Sequence, residues 1–186
     1  MQHPAYCLFA TPLGWCGIAW RESPDPEYPY AVTAFQLPEA TAEMTKARIA
    51  QKSDATPSSA LPPEIERIIH KVCLHLQGGV QDFRNVPVDL QGAGLFVQKV
   101  CEAARAIPAG KTVTYGALAE AMGMPAKTQA VGQALGRNPI PLIIPCHRVV
   151  AAHGRPGGFS AYGGRVTKAK LLALEGATVN LCLDLM

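Results

Sequence analysis

An α+β fold is predicted for this chain, with a small antiparallel sheet in the first half and packed helices in the second. Three observations predict it. Short strand-like runs bounded by turn residues precede Leu37, apolar stripes of helical period dominate residues 95–174, and 48% of the 186 residues are hydrophobic, enough for one ordinary core or two small ones. The 17 glycines and 16 prolines are spread without a period, which excludes a repeat array or a fibrous protein and implies short elements with many connections. There is no apolar run long enough to span a bilayer, and Met1-Gln2-His3-Pro4 carries no basic stretch, so no membrane segment or secretory signal is expected. The cytoplasm is the expected location.

The strands are read at Tyr6 to Thr11, at Gly14 to Trp20 after the turn Thr-Pro-Leu-Gly, and at Tyr30 to Leu37. Thr41 to Gln51 reads as a helix, and Lys52 to Pro63 as an exposed, turn-rich loop. Glu64 to Leu76 is an amphipathic helix because Ile65, Ile68, Ile69, Val72, Cys73 and Leu76 share one face, and Gly78-Gly79 ends it. His70 and His75, on or beside that helix, are expected to be ordinary surface or boundary residues. A polar connector, Val86 to Gly92, leads into a domain boundary near residue 90, dividing the chain into 1–90 and 91–186.

In the second half, Leu95 to Ile107 carries Phe96, Val97, Val100, Cys101, Ala104 and Ile107 along one stripe, and Pro108-Ala109-Gly110 stops it. Tyr115 to Met122 forms a short helix capped near Thr114 and closed by Gly123, and Pro125 opens a second helix, Ala126 to Arg137. The pair is a helix-turn-helix candidate, although spacing alone does not exclude a plain αα-hairpin in a small bundle. The second helix has small residues at Ala130, Gly132 and Ala134, which permit close approach to another surface. A helical glycine costs about 1 kcal/mol relative to alanine, so Gly132 calls for a close approach, either to another helix or to a duplex backbone.

Charge is uneven. Residues 1–90 carry 7 Lys+Arg against 10 Asp+Glu and residues 91–186 carry 10 against 4, so the halves stand at −3 and +6. The basic half suits a polyanion, while a mildly basic enzyme surface is the plainer account. The cysteines (Cys7, Cys16, Cys73, Cys101, Cys146, Cys182) form no C-x-x-C pair and should stay reduced. Zinc would need Cys7 and Cys16 with His70 or His75, a spacing unlike a finger or ribbon, so no metal is expected.

Asn138-Pro139-Ile140-Pro141 ends the last of these helices and forces Leu142 to Val150 to be extended or irregular. That apolar run is interrupted by Cys146, His147 and Arg148, a local conflict of the kind that concentrates at functional sites. A nucleophilic cysteine needs a base or a cation to make thiolate. His147 is adjacent, but neighbours on an extended chain point to opposite faces, so direct contact requires a turn or a bridging water. Glu175 closes the apolar helix Thr167 to Leu174, where the helix dipole disfavours an anion by roughly 0.3–1 kcal/mol. A His147 partner would account for that placement, as would simple exposure.

The run Ile144-Pro145-Cys146-His147-Arg148-Val149-Val150, with Gly110 to Ala119 (GKTVTYGALA) before it and Gly163 to Gly176 (GG…K…LLALEG) after it, resembles the O6-alkylguanine-DNA alkyltransferases, the methylated-DNA–protein-cysteine methyltransferases. The likeness covers residues 95–177. Residues 1–90 fit the family's variable N-terminal RNase H-like α+β domain loosely. The resemblance implies a single-turnover DNA repair enzyme in which Cys146 takes the alkyl group from O6 of a flipped guanine. His147 would act as base through water, Glu175 would orient it, and Tyr115 would donate toward the departing base. Asn138 would pin the helix-turn-helix to the reactive segment and Lys168 would help to bind the base, with Arg148 and the loop residues Ser160, Tyr162 and Gly163 also at the substrate. Lys127, Gln129, Ala130, Gly132 and Arg137 would face DNA. No cofactor is implied, and a monomer acting on double-stranded DNA with O6-alkylguanine is expected.

Two departures from the family pattern stand out. Gln129 occupies the position where an arginine normally fills the gap left by the extruded base, and the loop Gly154 to Gly164 is about two residues longer than usual, so the donor to O6 is either the backbone N–H near Tyr162 and Gly163 or Ser160. Two other functions compete: a lesion sensor that grips alkylated DNA without transfer, which the presence of Cys146 opposes, and a Cys-His hydrolase, for which no oxyanion element is evident.

Overall fold

The computed structural model describes residues 4–177. Residues 1–3 and 178–186, with Cys182 and the end of the second expected domain, lie outside the described residues. The architecture is mixed α/β. Strands β1 (Ala5–Thr11), β2 (Gly14–Glu22) and β3 (Tyr30–Gln36) pair antiparallel, and β4 (Thr56–Pro57) adds to β1 in parallel, in the order β3-β2-β1-β4. Because β4 is two exposed residues inside a turn-rich segment, it leaves no pattern in the sequence, and the loop expected there runs through it.

Strand β2 is buried almost throughout rather than on alternate residues, because both faces of the sheet are covered. Cys16, Ile18 and Trp20 enter the main core. Ala19 joins Tyr6, Ala34 and Ile49 in a smaller cluster under helix α1 (Ala42–Ser53). That helix approaches bare backbone: a Cβ added at Gly17 would lie 2.9 Å from the Ile49 Cβ. Its N-terminus is capped by Thr41, whose Oγ1 accepts from the Met44 N–H at 3.2 Å.

Helix α2 (Pro63–Leu76) buries the predicted stripe, with Pro in the first turn where its missing N–H costs nothing. After the connector come α3 (Leu95–Arg105), β5 (Val113–Thr114) and α4 (Tyr115–Ala121), the last capped by Thr114 Oγ1 accepting from the Ala117 N–H at 3.0 Å. The helix expected over Ala126–Arg137 is shorter. Pro125–Lys127 is a 3-10 turn, Lys127 at φ −103° and ψ 22° breaks the ladder, and α5 is Thr128–Gly136. A 3-10 turn, Cys146–Arg148, precedes β6 (Val149–Val150), which pairs in parallel with β5. Helix α6 (Gly164–Leu174) starts three residues before the expected Thr167, because Gly163 at φ 81° turns the chain into it.

One hydrophobic core runs continuously through both halves, from Ile18 and Phe35 through Ile65 and Val72 to Val100, Leu118, Val131, Ile144 and Leu171. The free edge of β3 serves as an attachment line: Val32 donates to the Pro87 carbonyl at 2.9 Å, and Phe35 to the Pro139 carbonyl at 3.0 Å. The strand thus holds both the connector and the turn that leads to Cys146. No described helix is long and apolar enough to cross a membrane.

Candidate active site

The reactive segment is shaped by a turn that the sequence marks with Asn138 and two prolines. Asn138 Oδ1 accepts from the Ile140 N–H at 2.9 Å, and its Nδ2 donates to the Ile144 carbonyl at 2.9 Å. The Ile144 N–H closes the turn on the Ile140 carbonyl at 2.8 Å. Between them Leu142, fully buried, is held at φ 74°, a left-handed conformation that costs a branched residue about 1–2 kcal/mol. Asn138 and the buried neighbours offset that strain. Its expected role of pinning α5 to the reactive segment has this geometry beneath it.

The segment then coils into the 3-10 turn, so Cys146 and His147 do not alternate as on a strand. Cys146 opens on a cavity of about 520 Å³ lined by Tyr115, Gln129, Gly132, Phe159 and Ser160. His147, fully buried, turns the other way: its Nε2 donates to Glu175 Oε1 at 2.9 Å. That bond fixes the tautomer and leaves the lone pair on Nδ1, which has no hydrogen-bond partner among the described residues. Burial lowers the His147 pKa against the opposing pull of Glu175, so the ring rests neutral.

Glu175 is the hub. Arg148 grips it with Nε to Oε2 at 2.9 Å and Nη2 to Oε1 at 2.8 Å, and its Nη1 donates to the Ile107 carbonyl at 2.6 Å. Burial alone would push this carboxyl up, but the bonds from His147, His75 and Arg148 outweigh it and hold it far below the usual carboxylate range. Arg148, expected at the substrate, is therefore placed elsewhere: its guanidinium is consumed by Glu175 and Ile107. His75, expected at the surface or a boundary, is buried, with Nε2 3.1 Å from Glu175 Oε1. It lies seven residues after Ile68, on the stripe itself, which is the signal that could have found it.

The β5–β6 ladder brings Tyr115, the next residue after Thr114, to the cavity wall. Lys168 is fully buried, and its Nζ donates to the Val149 carbonyl at 2.6 Å and to the Tyr115 hydroxyl and the Gly158 carbonyl at 3.3 Å each. Burial pulls its pKa down to about 8, against the pull of Cys146. Burial also pushes the Cys146 thiol up, while Asn138, Lys168 and Lys52 draw it back. Lys52, unremarked in the sequence, comes from the end of α1. Its ammonium donates to the Phe35 carbonyl at 2.9 Å, and burial of that tip lowers its pKa to about 8.

Of the proposed loop donors, Ser160 lines the cavity, whereas Tyr162 is exposed and its carbonyl accepts from Thr167 Oγ1 at 2.6 Å, with Gly163 beside it at the start of α6. On α5, Gln129 and Gly132 face the cavity and Ala130 is half-buried. Lys127 instead lies 5.5 Å above the Phe96 ring, and Arg137 is exposed at the helix end. Among the described residues, no group of three or more His, Cys, Asp or Glu side chains is placed to hold a metal.

Residues 95–177 match the family model for the DNA binding domain of 6-O-methylguanine DNA methyltransferase. A methylated-DNA–protein-cysteine methyltransferase of Metallosphaera sedula is 41% identical over 114 residues, which are 61% of this chain and 69% of the relative. The enzyme of the same name from Mycolicibacterium paratuberculosis is 39% identical over 107 residues, 58% of this chain and 62% of its own length, so the alignment spans somewhat under two thirds of that relative. In three dimensions the chain is similar to Mycobacterium tuberculosis OGT in complex with DNA, at TM-score 0.73 and 31% identity over 92% of each chain. It is also similar to the O6-methylguanine-DNA methyltransferase of Pyrococcus kodakaraensis, at TM-score 0.67 and 25% identity over 94% of this chain and 99% of that one. With sequence likeness centred on the cysteine segment and structural likeness reaching across both halves, the chain belongs to the methylated-DNA–protein-cysteine methyltransferase family.

Proposed function

We propose that the protein repairs alkylated DNA by moving the alkyl group from O6 of an extruded guanine onto its own Cys146 sulfur, once per molecule and without a cofactor. The observation that carries this reading is a thiol opening on a cavity of about 520 Å³, backed by an imidazole whose free nitrogen Glu175 has fixed. His147 Nδ1 takes the thiol proton through one bridging water, and Glu175 stabilises the imidazolium that forms. The thiolate attacks the alkyl carbon. The C–S bond forms as the C–O bond breaks, and the electron pair leaves with guanine. Tyr115 donates its hydroxyl proton toward that base, backed by the Lys168 ammonium, and Ser160 supplies a donor to O6. The thioether has no route back to thiol.

In this reading α4 and α5 act as a helix-turn-helix against the duplex, with Gln129, Ala130 and Gly132 toward DNA and Arg137 and Lys127 adding positive potential. Residues 1–90 form the RNase H-like unit and 91–186 the transfer unit. The protein works as a monomer in the cytoplasm, where its thiols stay reduced. O6 is buried in the base stack, so extrusion costs a few kcal/mol. Intact mass after incubation with O6-methylguanine duplex tests the reading: one methyl is gained, on Cys146. Unmodified protein retained on DNA would make it a lesion sensor, and repeated turnover of an ester a hydrolase.

Gln129, exposed at the cavity mouth, brings no cation to the gap left by the base. Gln129→Arg is therefore expected to raise the rate on duplex relative to single-stranded substrate by roughly tenfold, the size of one charge-assisted contact. Equal gains on both substrates would refute this role.

A further inference from the structure

We propose that His75, on α2 in the first half of the chain, is a positioning residue that sets the basicity of His147 through their shared partner, Glu175. The inference rests on the transfer reading above and adds to it a residue outside the matched segment.

The tautomer of His75 follows from its two contacts. The Gln81 N–H donates to His75 Nδ1 at 3.0 Å, so that nitrogen holds a lone pair, and Nε2 must carry the hydrogen that points at Glu175 Oε1. The ring of Phe83 packs against the imidazole edge-on, with centroids 5.1 Å apart. Glu175 Oε1 therefore accepts from two imidazoles at once, His147 at 2.9 Å and His75 at 3.1 Å. The remaining groups around the carboxylate are Arg148, which forks onto both oxygens, and the Gly110 N–H, 3.4 Å from Oε2.

Each donor spreads the carboxylate's charge and leaves less of it for His147. A carboxylate bound only by His147 and Arg148 would hold the imidazolium more tightly, and His147 would rest protonated at a higher pH, unable to accept the thiol proton. Burial is the main cause of the lowered His147 pKa, and His75 acts in the same direction. The first half of the chain thus does more than support the fold: through α2 it tunes the proton acceptor of the second.

Two substitutions separate the contacts of His75. His75→Asn keeps an acceptor for the Gln81 N–H but is too short to reach Glu175, and His75→Gln carries a donor to the position of Nε2. Ring NMR of the full-length protein reads the His147 titration directly, whether or not alkyl transfer occurs. His75→Asn is expected to raise its midpoint by about one unit, the effect of one lost charge-assisted bond, and His75→Gln to leave it near the parent value. The acid limb of the transfer rate on O6-methylguanine duplex should move up with it. If His75→Asn does not fold, His75→Phe, which keeps ring bulk and lacks the donor, takes its place with the same expected shift. An unchanged His147 midpoint in the variant without the donor would overturn the proposal. Failure of the parent protein to gain a methyl, with the midpoint shift intact, would count against the transfer reading and not against His75.

Discussion

Cys146→Ser leaves O6-methylguanine in an oligonucleotide unrepaired and the protein's own mass unchanged. The expected loss in transfer rate is at least about a thousandfold, or roughly 4 kcal/mol of barrier. The reason lies in what the site supplies. His147 is a neutral, buried base of lowered pKa, matched to a thiol that burial has pushed up and that Asn138, Lys168 and Lys52 pull back. A serine hydroxyl in that position is a far weaker acid, so the same imidazole cannot ionise it, and the oxygen anion is the poorer nucleophile for carbon. Serine is nearly isosteric, and Cys146 lines the cavity, where a hydroxyl can meet water, so the fold loses little by the exchange. Thermal unfolding close to the parent's, together with absent transfer, is the expected pair of results. Repair at the parental rate would remove Cys146 from the chemistry and end the reading.

The second large effect is on stability. Glu175→Ala deletes the partner of a buried Arg148 and of two buried histidines. Breaking one side of a buried ion pair costs about 3–5 kcal/mol, because the remaining charge is left unpaired, and in a chain of this length that lowers Tm by roughly 10 °C. The same network fixes the sign of the acid response. The folded carboxyl of Glu175 lies below its unfolded value, so its stabilisation is complete above about pH 4.3 and drains away as pH falls below that. His147, also lowered, begins to cost stability earlier, as pH falls through about 6.5, where the unfolded imidazole takes its proton and the buried one does not. Denaturant melts of the parent should therefore lose stability steadily from near neutrality into acid. Glu175→Gln, which keeps the volume without the charge, should start lower and fall less steeply below about pH 5. Parallel curves for the two proteins would show that Glu175 is not the acid-sensitive group.

Much of this was legible in residue order. The first three strands followed from strand-like runs bounded by turn residues, and α2 from a helical stripe, a signal that burial itself writes into a chain. The cysteine segment declared itself by polar residues set in an apolar run. What escaped depended on tertiary placement. Strand β4 is too short and too exposed to leave a pattern. The start of α5 was misplaced because Pro125 suits the first turn of an α-helix and of a 3-10 turn equally. His75 was set aside because the stripe on α2 was read only from its apolar members, and Lys52 because a turn-rich stretch follows it. Arg148 sits beside the nucleophile in sequence, yet the 3-10 turn leads its guanidinium to Glu175 and the Ile107 carbonyl and not to the cavity lining.

The stitching along β3 has a consequence for behaviour at high concentration. Unpaired sheet edges are templates on which other chains add strands and begin to aggregate. In the described residues, one margin of this sheet is closed by the Pro87 and Pro139 carbonyls and the Val32–Val88 bridge, and the other ends in a two-residue strand that contains Pro57, which has no N–H to offer. In the proposed single-turnover reading each repair consumes a protein molecule, so many must be present, and a sheet with both margins blunted suits a molecule that has to stay dispersed while it waits.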